Sequence, residues 1–400
     1  MPGVGPQTTS NLTSTTHIEY VERYVESAMR KRLYDQLAKT VDDNERQHKA
    51  STLTTPYLSS MSVRRAAISQ TADVTPQILR EGTTTLSPDL YGDVVQIGLK
   101  ARILSYANYR ERMIEVVGIN NMMILESLAI DAALAGSLVY RGAARASIDA
   151  GTTGHNMTSD VFAAVANTFQ SFNTKGWGAG GKPSWACITD PFVVHDLVTT
   201  ADVLNVAQYQ LSEIILNDEV GRLNAFKIVS SGQAKMFIDA GIDNASAVAT
   251  TLDGAVNAMA TSVVVAANTN IVVGDWLNFV ETEETAGTFY PLNERVRVAS
   301  IATTTIGVVG QADNGGLLYD HASGLTIANA DTVHTALFGG PESLSKTWAP
   351  EIGEFGEVLT PEEGGSLKQW ETVGSRWWGA YARNAEKNLY RAEVSVIEEA

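Results

Sequence analysis

With one cysteine in 400 residues the chain has no internal disulfide, and Cys187 stands in the apolar string WACIT, where a thiol acts as a small core hydrophobe. The six histidines, His17, His48, His155, His195, His321 and His334, are scattered without metal-ligand spacing. No HExxH, CxxC or EF-hand loop occurs, so no zinc or calcium site and no cofactor is expected. No run approaches the ~20 apolar residues needed to cross a bilayer, and the opening MPGVGPQTTSNLTSTT lacks the basic start and apolar stretch of a signal peptide. A soluble chain made in the cytoplasm, with no membrane partner, is the expectation. Basic residues are in the minority, 29 against 45 acidic for a net charge of -16, which excludes coating nucleic acid with the whole surface. Only 11 prolines and 33 glycines, against 44% hydrophobic residues, exclude wholesale disorder.

What is present suggests two or three domains at roughly 100–200 residues each. Acidic excess is concentrated late: residues 241–335 carry Arg295 and Arg297 against ten acidic residues, whereas residues 1–50 are balanced. After a Ser/Thr-rich tail, Ile18, Val21, Tyr24, Val25, Met29, Leu33 and Leu37 fall at helical intervals, predicting an amphipathic helix over 18–39. It carries the basic patch Arg30, Lys31 and Arg32, either a solvated face or a contact for nucleic acid or a partner. Residues 52–106 favour Thr, Val, Ile and Ser with turn signals at Thr75-Pro76, Glu81-Gly82, Ser87-Pro88 and Tyr91-Gly92, and read as a long β-hairpin. Its strands are expected near Ser62–Ser69 and Val94–Ile103, with too little apolar surface to pack alone. Apolar spacing from Tyr109 to Val139 predicts one spanning helix with weak points at Gly118, Asn120 and Asn121.

Helix at 158–171, strand at Trp185–Thr189, helix at Pro191–Val198 and strand at Phe226–Ser230 predict a mixed α/β domain. From about Asp243 to Asp331 composition shifts to Val, Thr, Ala and Asn with period-two stretches such as TSVVVAA and ERVRVASI, the mark of an inserted all-β module. Ser375–Arg391, rich in Trp and Tyr, reads as a helix, followed by a strand in RAEVSVIEEA.

Chemistry is hard to find. GWGAGGK, Gly176–Lys182, is followed by Pro183 and a strand where a phosphate loop needs Ser/Thr and a helix N-terminus. Cys187 and His195 can be imagined as nucleophile and base, but the thiol is expected inside a strand. Glu281, Glu283 and Glu284 read as a solvated acidic loop rather than an acid/base pair. No catalytic residues emerge and the chain is not expected to be an enzyme.

LREGTT at Leu79–Thr84 with YGDVVQI at Tyr91–Ile97, LESLAIDAALAG at Leu125–Gly136, WACITDPFVVHDL, EVGRLNAFKIVSS at Glu219–Ser231, and GSLKQWETVGSRWWGAYARNAEKNLYRAEV follow one another along the chain. In content and order they resemble the major capsid proteins of tailed phages with the Hong Kong 97 fold, in particular the podovirus N-four-like coat proteins. The resemblance implies an extended loop with its return strand, the distal spine helix, the strand, helix and strands of an axial domain, and a closing strand, helix and strand.

The fold class implied is α+β. Its parts would be an N-terminal arm (1–50), an extended hairpin loop and start of a peripheral domain (51–106), a spine helix (107–150), an axial domain (151–242), an inserted all-β domain (243–332) and a closing segment (333–400). The function implied is a coat protein assembling as hexamers and pentamers into an icosahedral virion shell around double-stranded DNA. Its partners would be copies of itself, a separate scaffolding protein, a portal protein, a cement or decoration protein and, non-specifically, the packaged DNA. Arg64, Arg65, Arg80 and Glu81 on the hairpin are the candidate intersubunit contacts, and Arg30, Lys31 and Arg32 a candidate interior basic patch. Trp370, Trp377, Trp378 and Tyr381 would join the spine helix to the C-terminal segment or simply pack the core. The acidic insert is expected to face outward. Residues 51–99 hold no lysine, and Lys100 is expected on the return strand, so no isopeptide weld of the kind known from the founding phage is expected. An encapsulin-type compartment and a hydrolase using Cys187 or the glycine loop stand as alternatives.

Overall fold

Strands dominate, as the Val, Thr and aromatic content requires. The computed structural model describes residues 33–41, 52–58, 61, 63, 65, 76–104, 109–150, 152, 154–178, 184–199, 219–242, 248–281, 293–354, 356–359 and 362–396. They fall into two units: a central unit within Leu138–Gly339 and Tyr390–Ala400, and a terminal unit within Gly3–Ser137 and Gly340–Leu389. The chain begins with β1 (Ala38–Thr40), β2 (Leu53–Leu58), β3 (Glu81–Leu86), β4 (Asp89–Gly98), α1 (Leu99–Leu104) and α2 (Tyr109–Leu134). It continues with β5 (Val139–Arg141), α3 (Ser159–Ser171), β6 (Trp185–Thr189), α4 (Pro191–Thr199), β7 (Glu219–Leu223), β8 (Phe226–Ser230) and β9 (Met236–Phe237). Then come β10 (Ala249–Thr251), β11 (Ser262–Val264), β12 (Trp276–Val280), β13 (Glu294–Ala302), β14 (Thr305–Val309), β15 (Thr326–Ala328) and β16 (Val333–Gly339). The last strands are β17 (Leu344–Trp348), β18 (Glu357–Val358), β19 (Glu362–Gly364), β20 (Trp370–Arg383) and β21 (Leu389–Val394).

In the central unit one sheet has the order β5-β21-β16-β6-β8-β7, with β9 on β16. One face carries Trp185, Cys187, Phe226, Phe338 and Val394, and packs on Val161, Phe162, Val165 and Phe169 of α3 and Val193 and Leu197 of α4. The second sheet, β10-β15-β12-β13-β14-β11, is built wholly from residues 249–328 and has its own core around Leu277, Phe279, Val296 and Ile327. It is the inserted β module that the composition shift predicts.

In the terminal unit β20 is the spine of a sheet ordered β1-β17-β20-β18, and it also pairs with β19 and β4. Helix α2 presents Met113, Val117, Asn121, Leu125, Ala129 and Ala133, four residues apart, as one buried ridge. Val116–Leu134 is long and apolar enough by composition to cross a bilayer, contrary to the sequence expectation, yet it buries Asn121 and Glu126 and carries a packed ridge, the marks of a core helix. At its end Arg383 donates from Nη1 to the Ala133 carbonyl at 2.8 Å. Gly136 leaves room for that guanidinium, since a Cβ there would overlap it.

Five expectations need correction. Val94–Gly98 does not return along residues 62–69: β4 pairs with Trp370–Gly379 instead, and the hairpin is β2 with β3. Ser375–Arg391 is not helical. Residues 370–383 are strand β20, in which the side chains of Glu371, Val373, Ser375 and Trp377 are buried at alternate positions, and aromatic and β-branched side chains favour that period over 3.6. Residues 34–40 at the end of the expected arm helix form a 3-10 turn and β1, and α2 stops at Leu134, with Val139 in β5. Lys100 lies in α1, not on the return strand.

Candidate assembly surface

The hairpin is anchored at its base. Leu53 pairs with Leu86 and, five steps on, Leu58 with Glu81. At the base Leu86 and Thr84 are buried, and the Thr84 hydroxyl donates to the Asn384 carbonyl at 3.1 Å. Towards the far end Tyr57 lies across Gly82, where any Cβ would meet its ring. Beyond the paired strands four apolar side chains are uncovered: Met61 at 58%, Val63 at 86%, Ile78 at 91% and Leu79 at 47% exposure. Scattered exposed hydrophobics are ordinary, but several on one excursion mark an interaction surface.

Of the predicted contact residues, Arg65, Arg80 and Glu81 are exposed on this excursion. Arg64 lies outside the described residues, as do Arg30, Lys31 and Arg32. Sequence reasoning missed the apolar groups beside them. Ile78-Leu79, an isolated apolar pair in a polar stretch, was the available signal.

A second feature fixes where the N-terminal segment joins the terminal unit. β1 runs parallel to β17, Ala38 opposite Leu344. Just before it, the backbone N–H groups of Leu33 and Tyr34 donate to Glu126 Oε1 at 2.7 and 3.0 Å. Burial pushes the Glu126 carboxyl up, and those two amide donors offset part of the shift. Asp35 takes Lys346 Nζ on both oxygens, at 3.0 and 3.1 Å, and the Tyr381 hydroxyl at 2.8 Å, while Lys346 also donates to Glu354 at 2.5 Å. Trp377 is buried, stacked on Tyr381, and donates from Nε1 to the Glu354 carbonyl at 3.2 Å. Of the aromatic set, Trp377 and Tyr381 thus serve core packing and this anchor together.

The residues considered for catalysis are kept apart. Cys187 is fully buried and desolvation pushes its thiol up, while His195 on α4 has its side chain 66% exposed. Glu281 is mostly covered and stands 3.7 Å from His321, whose Nε2 meets Glu294 at 2.6 Å inside the insert, so it is not part of a solvated loop. Glu283 and Glu284 lie outside the described residues. No group of three or more His, Cys, Asp and Glu able to hold a metal occurs among the described residues.

An α+β chain with an extended hairpin, a long spine helix on a closing sheet and a separate α/β unit bearing an insert is the Hong Kong 97-type fold of phage shell proteins. Solved structures similar to it include the capsid of Ralstonia phage GP4, with 11% identity, 90% of this chain and 87% of that one covered, and a TM-score of 0.54. The cyanophage Pam1 capsid is similar at 9% identity, 95% and 94% coverage and TM-score 0.55. The acidic stable capsid of Helicobacter pylori bacteriophage KHP30 is similar at 9% identity, 99% and 100% coverage and TM-score 0.51. No protein-family model and no curated protein matches the sequence.

Proposed function

We propose that this chain is a major capsid protein, assembling as hexamers and pentamers into an icosahedral virion shell around double-stranded DNA. The observation that supports the reading is the hairpin: anchored at Leu86 and Thr84, with Met61, Val63, Ile78 and Leu79 uncovered beyond Tyr57, on a fold shared with the capsid of Ralstonia phage GP4. A second copy of the chain is the partner that covers it, with Arg65, Arg80 and Glu81 supplying charged contacts around Ile78 and Leu79. The central unit corresponds to the axial domain and the terminal unit to the peripheral domain. A separate scaffolding protein sets the shell size, a portal protein and a cement or decoration protein complete it, and no catalysis is involved.

Ile78→Asp tests this directly. Because Ile78 is 91% exposed, the substitution should leave unfolding within about 0.5 kcal/mol of the parent, as for other surface changes. In negative-stain microscopy with the scaffolding protein present, the parent chain should give closed shells with nuclease-protected DNA after packaging, and the variant free capsomers or monomers. Shells formed equally well by the variant would refute the hairpin contact. Protected protein cargo in place of DNA would favour a nanocompartment.

Shell cohesion should be noncovalent, since Lys100 lies in α1 near the body and Cys187 is buried. Boiled particles without reductant should run as one band near 42.9 kDa, and a persistent ladder would contradict this.

A further inference from the structure

The sheet of the central unit has a charged face at its β5/β21 edge. β5 and β21 are parallel, with Arg391 opposite Val139 and Glu393 opposite Arg141. Tyr140 and Ala392 belong to the aromatic core, so strand alternation puts Arg141, Arg391 and Glu393 on the other face. The Glu393 side chain is fully buried. It accepts from Arg141 Nε and Nη2 at 2.5 and 3.1 Å and from Arg145 Nε and Nη2 at 2.9 and 2.6 Å. Arg391 Nε stands 3.0 Å from it. Burial works to raise this carboxyl, but hydrogen bonds from Arg145 and Arg141 and the charges of Arg145 and Arg391 lower it to about 2.

Three guanidiniums on one carboxylate leave two positive charges in excess, in a chain whose net charge is -16. Arg141 and Arg145 are both gripped through Nε and Nη2 yet remain 35% and 32% exposed. Their Nη1 groups make no hydrogen bond among the described residues. Arg145 is further held over the Phe237 ring, 3.8 Å from its centroid. Both side chains have therefore lost their rotamer freedom on folding, and a ligand meets fixed donors.

We infer that Arg141 and Arg145 form a preorganised contact for the phosphate backbone of nucleic acid. Two surplus charges match two adjacent monoanionic phosphates on one strand, and guanidinium donors suit phosphate oxygens. A carboxylate of a second copy would neutralise only one of the two. The inference rests on the capsid reading, in which shell protein meets packaged DNA, and it names where that contact lies.

The test is binding of a fluorescein-labelled 20-base-pair DNA duplex to the full chain, by anisotropy over a KCl series. Each phosphate contact contributes about 0.9 to the slope of log affinity against log salt, so Arg141→Gln with Arg145→Gln should lower the slope by about 2. The Lys100→Gln, Lys368→Gln pair makes the same charge change at exposed lysines of the terminal unit and should shift affinity less than about twofold. No binding by the parent chain, equal effects of the two pairs, or no effect of the arginine pair overturns the inference. So does loss of shells with DNA binding intact, which would assign the arginines to a neighbouring copy. If the Gln pair does not fold, Arg141→Lys with Arg145→Lys keeps charge but loses the fork. It should bind about tenfold more weakly at 100 mM KCl, and unchanged affinity overturns the proposal. Shells without the slope difference would sink this inference alone. The slope difference in a chain that forms no shells would sink the capsid reading alone.

Discussion

Replacing Lys346 by methionine should destabilise the terminal unit by about 3–5 kcal/mol, the usual cost of removing one partner from a buried ion pair. Lys346 and Asp35 have side chains only 8% and 11% exposed, and Glu354 shares the same ammonium. Without it two carboxylates stand together, and the ammonium that bridged them is gone while the Tyr381 hydroxyl still donates to Asp35. Methionine fills the space of the lysine stem, so the loss reports charge rather than a cavity. Adding Asp35→Asn to Lys346→Met should recover part of it, because it removes the stranded charge. Urea unfolding supplies the energies, and proteolysis near residue 41 should become faster as β1 loosens on β17. A loss below about 1 kcal/mol would mean that the cluster is solvated in a way its geometry does not suggest.

Phe226→Ala should cost a similar amount, about 3–5 kcal/mol, through a different mechanism. Phe226 is fully buried, and its ring centroid lies 4.9 Å from Phe338, 5.5 Å from Trp185 and 5.9 Å from both Phe162 and Phe169. Alanine leaves a cavity in the middle of that group and removes four ring contacts at once. Phe226→Leu, which restores most of the volume, should cost less than about 1.5 kcal/mol. The insert should keep its own melting transition in both variants, because its core shares no side chain with this one. A small loss for the alanine variant would show the aromatic group to be loosely packed.

Much of the architecture could be read from residues alone where the signal is local. The β module announces itself by period-two Val and Thr between Gly, Asn and Asp, and α3 by five apolar positions on one face before Asn173 and Thr174. β20 could not be read this way. Trp377 and Tyr381, four apart, satisfy helical spacing as well as alternation, and only the neighbours they meet decide. Gly379, where a Cβ would strike the Thr347 carbonyl, is a strand requirement visible only once β17 is in place. The partner of β4 was illegible for the same reason, since no turn links Asp89–Gly98 to Trp370–Gly379. The hairpin site is half legible: its charges stand out in the sequence, while its apolar residues look unremarkable until their exposure is known. The arginine face on Glu393 depends on a pairing across 252 positions that no motif encodes.

The pairing of β1 with β17 has a consequence for the order of events on the ribosome. Asp35 and Lys346 are 311 positions apart, and at about 5–20 residues per second the second is made roughly 15–60 seconds after the first. The strands of the β module, by contrast, all lie within residues 249–328 and can close as soon as residue 328 emerges. The module can therefore fold before either unit is complete, since the terminal unit waits for β20 and the central sheet for β21, the last strand of the chain to be made. Until β17 is out β1 has no partner strand, and until residue 379 is out β4 lacks its own, so both present open backbone edges. A chain released before Trp370–Gly379 is made keeps the β4 edge open, and an unpaired edge is a template for wrong pairing, so truncated chains should aggregate more readily than finished ones.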